Sequence, residues 1–199
     1  MRGVTRRVVQ LAMLVVIGLS PMGIADAQTV LTGPITNPGN NHVYYLLSAA
    51  SWTDSEAKAE QMGGHLATVR NQAENDWIFD QFTNHGGTNR GLWIGFNDAA
   101  IEGTFVWSSG ENSSYTNWGA GEPTGQGGTE NYVHFFWPGD SRAPHWNDLD
   151  DVSNFAGIPL NGVVELSATA VPEPGGMALL SGMVIPGIAL IKYRRRNRP

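Results

Sequence analysis

The chain reads Trp118-Gly119-Ala120-Gly121-Glu122-Pro123-Thr124-Gly125-Gln126-Gly127-Gly128-Thr129-Glu130, then Asn131-Tyr132-Val133-His134-Phe135-Phe136-Trp137, and further on Trp146-Asn147-Asp148. Glycine and proline make the first stretch a loop, whereas the aromatic and branched content of residues 131–137 reads as a strand. Gly119 to Gly128 carries neither the basic residue nor the following helix of a phosphate-binding loop, which removes a nucleotide-binding reading.

Working outward, Leu92 to Phe96, Thr104 to Trp107 and Gly162 to Leu166 are further strand candidates separated by Gly-, Asn- and Pro-rich loops. Upstream, His42 to Leu47 is strand-like, and the Ser51-Trp52-Thr53-Asp54 stretch supplies an N-cap before an amphipathic run from Ser55 to Met62 that Gly63-Gly64 stops. Leu66 to Val69 is a short strand candidate, followed by a helix over about Gln72 to Phe82 with Trp77, Ile78 and Phe82 near one face. Residues 28–41 read as a turn-dense lead-in with no packed element. Two helices followed by strands give an α+β class.

The 199 residues suit one folded unit with short appendages. Basic residues gather at the two ends, so about 28–171 holds Lys58, Arg70, Arg90 and Arg142 against 16 acids, a net charge of roughly −12. Such a surface repels a phosphate backbone, so nucleic acid is excluded as a partner and cations are favoured. Without cysteine there is no disulfide and no thiolate chemistry. His42, His65, His85, His134 and His145 show no zinc-binding spacing and read as surface or packing residues.

Several pieces, in this order, resemble the C-type lectin domain: Trp52 with the 57–62 helix, Gly63-Gly64-His65-Leu66-Ala67, Glu74, Trp93-Ile94-Gly95, Trp118, Glu122-Pro123, Trp146-Asn147-Asp148 and Val163-Val164-Glu165. The resemblance covers about residues 42–167 and implies two helices packed on antiparallel sheets, with a long calcium- and ligand-binding loop region. The family's usual four cysteines are missing, with Ala59, Tyr132, Asp151 and Val164 at or near their places. Each lost bridge removes about 2 to 4 kcal/mol, so core aromatics or calcium must compensate, and calcium-dependent stability is expected.

The same resemblance assigns a principal calcium site to Glu122, Thr124, Glu130, Asn147 and Asp148, with Pro123 as a cis proline. Calcium takes about six to eight oxygens, which these residues can supply from two loops. In such lectins the ion accepts two vicinal sugar hydroxyls while the same carboxylates and amides hydrogen-bond them, so the sugar-binding residues are the same five. Thr124 departs from the mannose-type Asn by offering one hydroxyl for an amide. An auxiliary calcium site is implied at Asp98, Glu102 and Glu130, with Gly125 where the family has Asp. Trp52, Trp77, Trp93 and Trp118 read as core residues, and Phe135, Phe136 and Trp137 are the exposed candidates for stacking on sugar, with core packing the favoured role of these aromatics.

The two ends read as addresses. Residues 1–27 combine a basic start, an apolar stretch from Val8 to Leu19 and Ala25-Asp26-Ala27, the pattern of a signal peptide cleaved before Gln28. Residues 171–199 hold Pro172-Glu173-Pro174, an apolar segment at 175–191 and a basic end at 192–198. This tail resembles a PEP-CTERM sorting signal, which implies a transmembrane helix, a transient inner-membrane stage, an exosortase-type processing enzyme and a Gram-negative cell surface or extracellular matrix.

The expected function is calcium-dependent carbohydrate binding by an exported lectin-like protein, with a polysaccharide or glycan as partner. The alternative is a lectin-like protein-interaction or matrix-structural domain without calcium-dependent sugar binding. A hydrolase using paired acids is set aside, since those acids match metal-ligand places, so no catalytic residue is expected.

Overall fold

The computed structural model describes residues 28–168, so the expected signal peptide and the expected sorting tail, with Pro172, Glu173 and Pro174, lie outside the described residues. No helix among the described residues is long and apolar enough to cross a membrane.

Strands β1 (Val30–Thr36) and β2 (Val43–Ala49) lead into helix α1 (Trp52–Gln61), β3 (His65–Leu66) and helix α2 (Gln72–Phe82). There follow β4 (Gly91–Asn97), β5 (Val106–Trp107), β6 (Tyr132–Phe135), β7 (Trp146–Leu149), β8 (Asn154–Phe155) and β9 (Ile158–Leu166). The main sheet path is β1-β2-β9-β4-β6-β7. The last strand thus returns across the whole domain to lie between β2 and β4, and its pairing with β4 is parallel, from Gly91 opposite Leu160 to Trp93 opposite Gly162. The α+β lectin-like fold stands as expected, with antiparallel pairing along most of the path and this parallel pair making the sheet mixed.

The lead-in is corrected. Val30–Thr36 forms an edge strand on β2, and two register irregularities accommodate its Thr32-Gly33-Pro34 stretch. Turn residues suggested a loop because the ladder that orders them is supplied by a partner strand. Helix α1 starts at Trp52, three residues earlier than Ser55, because Ser51 Oγ accepts from the Asp54 N–H at 3.2 Å. Such a cap stabilises a helix by about 1 kcal/mol. Asn71 caps α2 in the same way, accepting from Glu74 N at 3.0 Å.

The core is aromatic, and its polar tips are satisfied. Trp146 Nε1 donates to Asn75 Oδ1 at 2.8 Å, Trp52 Nε1 to Ile94 O at 2.7 Å and Trp93 Nε1 to Ala50 O at 3.1 Å. Trp77 and Trp118 are partly buried and pack against the same core. Phe135 and Phe136 are fully buried, in line with the favoured core-packing role and against sugar stacking; alternation along β6 turns Phe135 inward, and Phe136 closes over His134. Trp137 is half-buried against Phe155.

Contacts of other kinds stand where the family's cysteines would be. Ala59 and Val164 pack in one apolar cluster with Leu47 and Leu166. Tyr132 stacks on Trp52 at 4.6 Å, while Asp151 accepts from Thr53 N at 3.0 Å and Thr53 Oγ1 at 2.6 Å. One end of α1 is thereby tied to the loop before β8, and its far end to β9.

A buried ionic knot joins helix α2 to the sheet. Arg70 Nη1 donates to Glu74 Oε1 and Glu165 Oε1, both at 2.8 Å, and to Thr68 O at 2.9 Å. Tyr44 Oη lies 2.7 Å from Glu74 Oε1 and 3.0 Å from Glu165 Oε1, and His42 Nδ1 lies 2.5 Å from Glu165 Oε1. Burial pushes the Glu74 carboxyl above its ordinary value against the pull of Tyr44 and Arg70.

Candidate functional site

Strand β7 presents Asn147 and Asp148 through its pairing with β6, with Val133 opposite Asp148 and His134 opposite Asn147. The loop from Trp118 folds back on the same strand, since Gly119 N donates to Trp146 O and Trp146 N to Asn117 O, both at 2.8 Å. Asp148 is fully buried and clamps the loop: its Oδ1 accepts from Thr124 N at 3.0 Å and its Oδ2 from Gly125 N at 2.8 Å. Thr124 Oγ1 donates to Glu130 Oε2 at 2.7 Å. The Glu122–Pro123 peptide between these groups is cis.

The structure thus brings Thr124, Glu130 and Asp148 into direct contact, with Asn147 and Glu122 beside them. Glu122 Oε2 is buried and has no hydrogen-bond partner. Burial raises the Glu122 carboxyl, repulsion from Asp148 and Glu130 adds to the rise, and Arg142 opposes it. Arg142 is thus set against three acids, Glu122, Glu130 and Asp148.

Asp98, on the neighbouring loop, is 2% exposed. Its Oδ2 accepts from Gly103 N at 2.7 Å, while Oδ1 is buried without a partner. Its backbone N–H donates to Asn131 O at 3.1 Å, which sets it next to Glu130 in the chain. Glu102 leans on the 125–128 turn: a Cβ built at Gly125 would lie 2.4 Å from Glu102 Oε1. A side chain at position 125 and the Glu102 carboxylate therefore compete for one space, so Glu102 fills the place that Gly125 leaves open.

Arg142 and Asp140 belong to the same surroundings and were not singled out from sequence. Arg142 Nη1 lies 3.8 Å from Glu122 Oε1, its Nε and Nη2 bind the two Asp140 oxygens at 3.0 Å, and its guanidinium covers the Phe136 ring at 3.7 Å. No spacing rule links residue 142 to residue 122; the loop's return brings them together.

The donor set is of the oxygen type that suits a hard divalent ion, and each expected site holds one buried carboxylate oxygen without a hydrogen-bond partner, Glu122 Oε2 and Asp98 Oδ1. Glu122, Glu130 and Asp148 do not converge as a trio to within 4.8 Å; among the described residues the acid and histidine ligand atoms that do are those of Glu56, Glu60 and His65. There Glu56 bonds His65 Nδ1 at 2.6 Å and accepts from Leu66 N at 2.8 Å, tying α1 to β3.

The profile of the lectin C-type domain matches residues 48–156. The chain is 31% identical over 113 residues to a lectin of Pleurodeles waltl, an alignment covering 55% of this chain and 63% of that protein. It is 32% identical to lectin BRA-3 of Megabalanus rosa, covering 61% of this chain and 76% of the relative. Among solved structures, the cow CD23 carbohydrate-recognition domain, determined in the presence of GlcNAc2Man3 oligosaccharide, superposes with a TM-score of 0.53 at 29% identity, over 64% of this chain and 89% of that one. Ordered motifs, mixed-sheet fold and these similarities agree: the chain belongs to the C-type lectin domain family.

Proposed function

We propose that this domain binds calcium at Glu122, Thr124, Glu130, Asn147 and Asp148 and, through that ion, the hydroxyls of a polysaccharide or glycan. The observation that carries the reading is the unpartnered, buried Glu122 Oε2 beside the carboxylates of Asp148 and Glu130. Arg142 reaches only the other carboxylate oxygen, Oε1, at 3.8 Å, so Oε2 keeps a desolvation cost that a bound cation would remove. Asp98, Glu102 and Glu130 would hold an auxiliary ion, supported by the unpartnered Asp98 Oδ1. Calcium would supply positive charge and open coordination positions for vicinal hydroxyls.

The signal peptide at 1–27 and the PEP-CTERM-like tail at 171–199 would export the protein through a transient inner-membrane stage, with tail removal by an exosortase-type enzyme, to the surface or matrix of a Gram-negative bacterium. Retention of the protein on a polysaccharide resin tests the lectin reading. Binding in calcium, release by chelator and competition by a monosaccharide are expected; retention unchanged in chelator would overturn it. The second reading, a protein-interaction or matrix-structural domain, is favoured by one observation: the Thr124 hydroxyl is already engaged with Glu130. It predicts a bound partner that no monosaccharide displaces.

A further inference from the structure

His134 is fully buried, with its ring edge-on to Trp93 at 5.5 Å and Phe136 at 5.5 Å. Its Nδ1 lies 2.8 Å from Phe135 O, and a carbonyl only accepts, so Nδ1 carries the hydrogen. In a neutral ring Nε2 must then accept. Facing it at 3.2 Å is Asn147 Nδ2, and the same nitrogen lies 2.6 Å from Asp148 O, a second acceptor. The chemistry of these two neighbours decides which end of the Asn147 amide is nitrogen. Both of these contacts use Nδ2, so Oδ1 is the end of the amide left to act as a ligand.

We propose that His134 is a positioning residue for the ligand site, which engages the Asn147 amide nitrogen so that Asn147 offers the calcium loop an oxygen and no donor. The inference rests on the calcium reading above and narrows its ligand. With both amide hydrogens engaged and the Thr124 hydroxyl donating to Glu130, the side chains of the five-residue cluster present acceptors. Hydroxyls that meet the ion must therefore donate to the carboxylates, since the Asn147 amide and the Thr124 hydroxyl have no donor left for them. Three carboxylates also disfavour anionic sugars. Neighbours that orient a metal ligand commonly change metal affinity by about 10- to 100-fold when removed.

The test uses the full-length chain in mild detergent. Nitrogen-15 NMR of the calcium-free protein should show the His134 Nδ1–H tautomer and a slowly exchanging Asn147 side-chain amide. Calcium titration should show affinity about tenfold weaker in His134→Phe, near wild type in His134→Gln, whose amide oxygen can accept from Asn147, and abolished in Asp148→Asn. A methylated diol should fail to compete where the free diol does. An Nε2–H tautomer, a freely exchanging Asn147 amide, or unchanged calcium affinity in a folded His134→Phe would overturn the inference while leaving the calcium reading intact. A wild-type chain that binds no calcium yet shows the predicted tautomer and protected amide would instead overturn the calcium reading, and with it the role assigned to His134.

Discussion

Replacing Arg70 with Met tests how the disulfide-free domain holds α2 against the sheet. The substitution keeps an apolar stem and deletes the cation that lies 2.8 Å from both Glu74 and Glu165, two residues only 4% and 7% exposed. Removing one partner of a buried pair costs about 3–5 kcal/mol, because the remaining charge is uncompensated. Two carboxylates are stranded here, yet the cost should not double. Glu74 Oε2 keeps the Arg70 backbone N–H at 2.8 Å, and Glu165 Oε2 keeps Thr68 N at 2.8 Å. Glu74 can also take up a proton, since burial already holds its folded-state value above the ordinary one. A group raised in the folded state contributes stability below its unfolded value and loses it as pH rises through the folded one. The deficit of Arg70→Met should therefore be larger at pH 7 than in mild acid. Urea unfolding followed by tryptophan fluorescence at both pH values reads this directly, and the double variant Arg70→Met/Glu74→Gln should recover about half of the loss. A deficit under about 1 kcal/mol at pH 7, or one independent of pH, would refute the reasoning.

Two further outcomes are expected. Burial holds the His134 imidazole down at about 4, below its ordinary value, so its stability contribution is complete above the unfolded value and is lost as pH falls toward 4. The loss is about 3 kcal/mol, measured in chelator as the stability difference between wild type and His134→Gln across that window; a flat difference would contradict it. In Gly64→Ala the added Cβ would lie 2.2 Å from Glu165 O, a backbone atom that cannot swing aside. This should destabilise the domain by about 1–3 kcal/mol, and a melting temperature equal to wild type would count against that packing.

Much of the fold was legible because its pieces carry local signals. Gly63-Gly64 ends the first helix, the 3.6-residue pattern of Trp77, Ile78 and Phe82 marks the second, and β-branched and aromatic runs mark β2, β4 and β6. What escaped was set by chain segments far apart. Val30–Thr36 carries turn residues and becomes a strand through its ladder with β2. The parallel pairing of β4 with β9 joins residues about 70 positions apart, which no local pattern reveals. At the site, the residue types were readable from Glu122 to Asp148, but the Asp148 clamp on Thr124 and Gly125, the approach of Arg142 to Glu122 and the contact of His134 with Asn147 are products of loop return and strand register.

Thermal unfolding of the full-length chain, first in saturating calcium and then in excess chelator, bears most directly on the proposed metal site. An ion that binds the folded form at about 100 times its Kd adds about 2.7 kcal/mol, which should raise the Tm by several degrees. Glu122→Gln should abolish most of that rise if its unpartnered oxygen is a ligand. A clear calcium-dependent rise, lost in Glu122→Gln, is the predicted result; identical melting in calcium and chelator would contradict it.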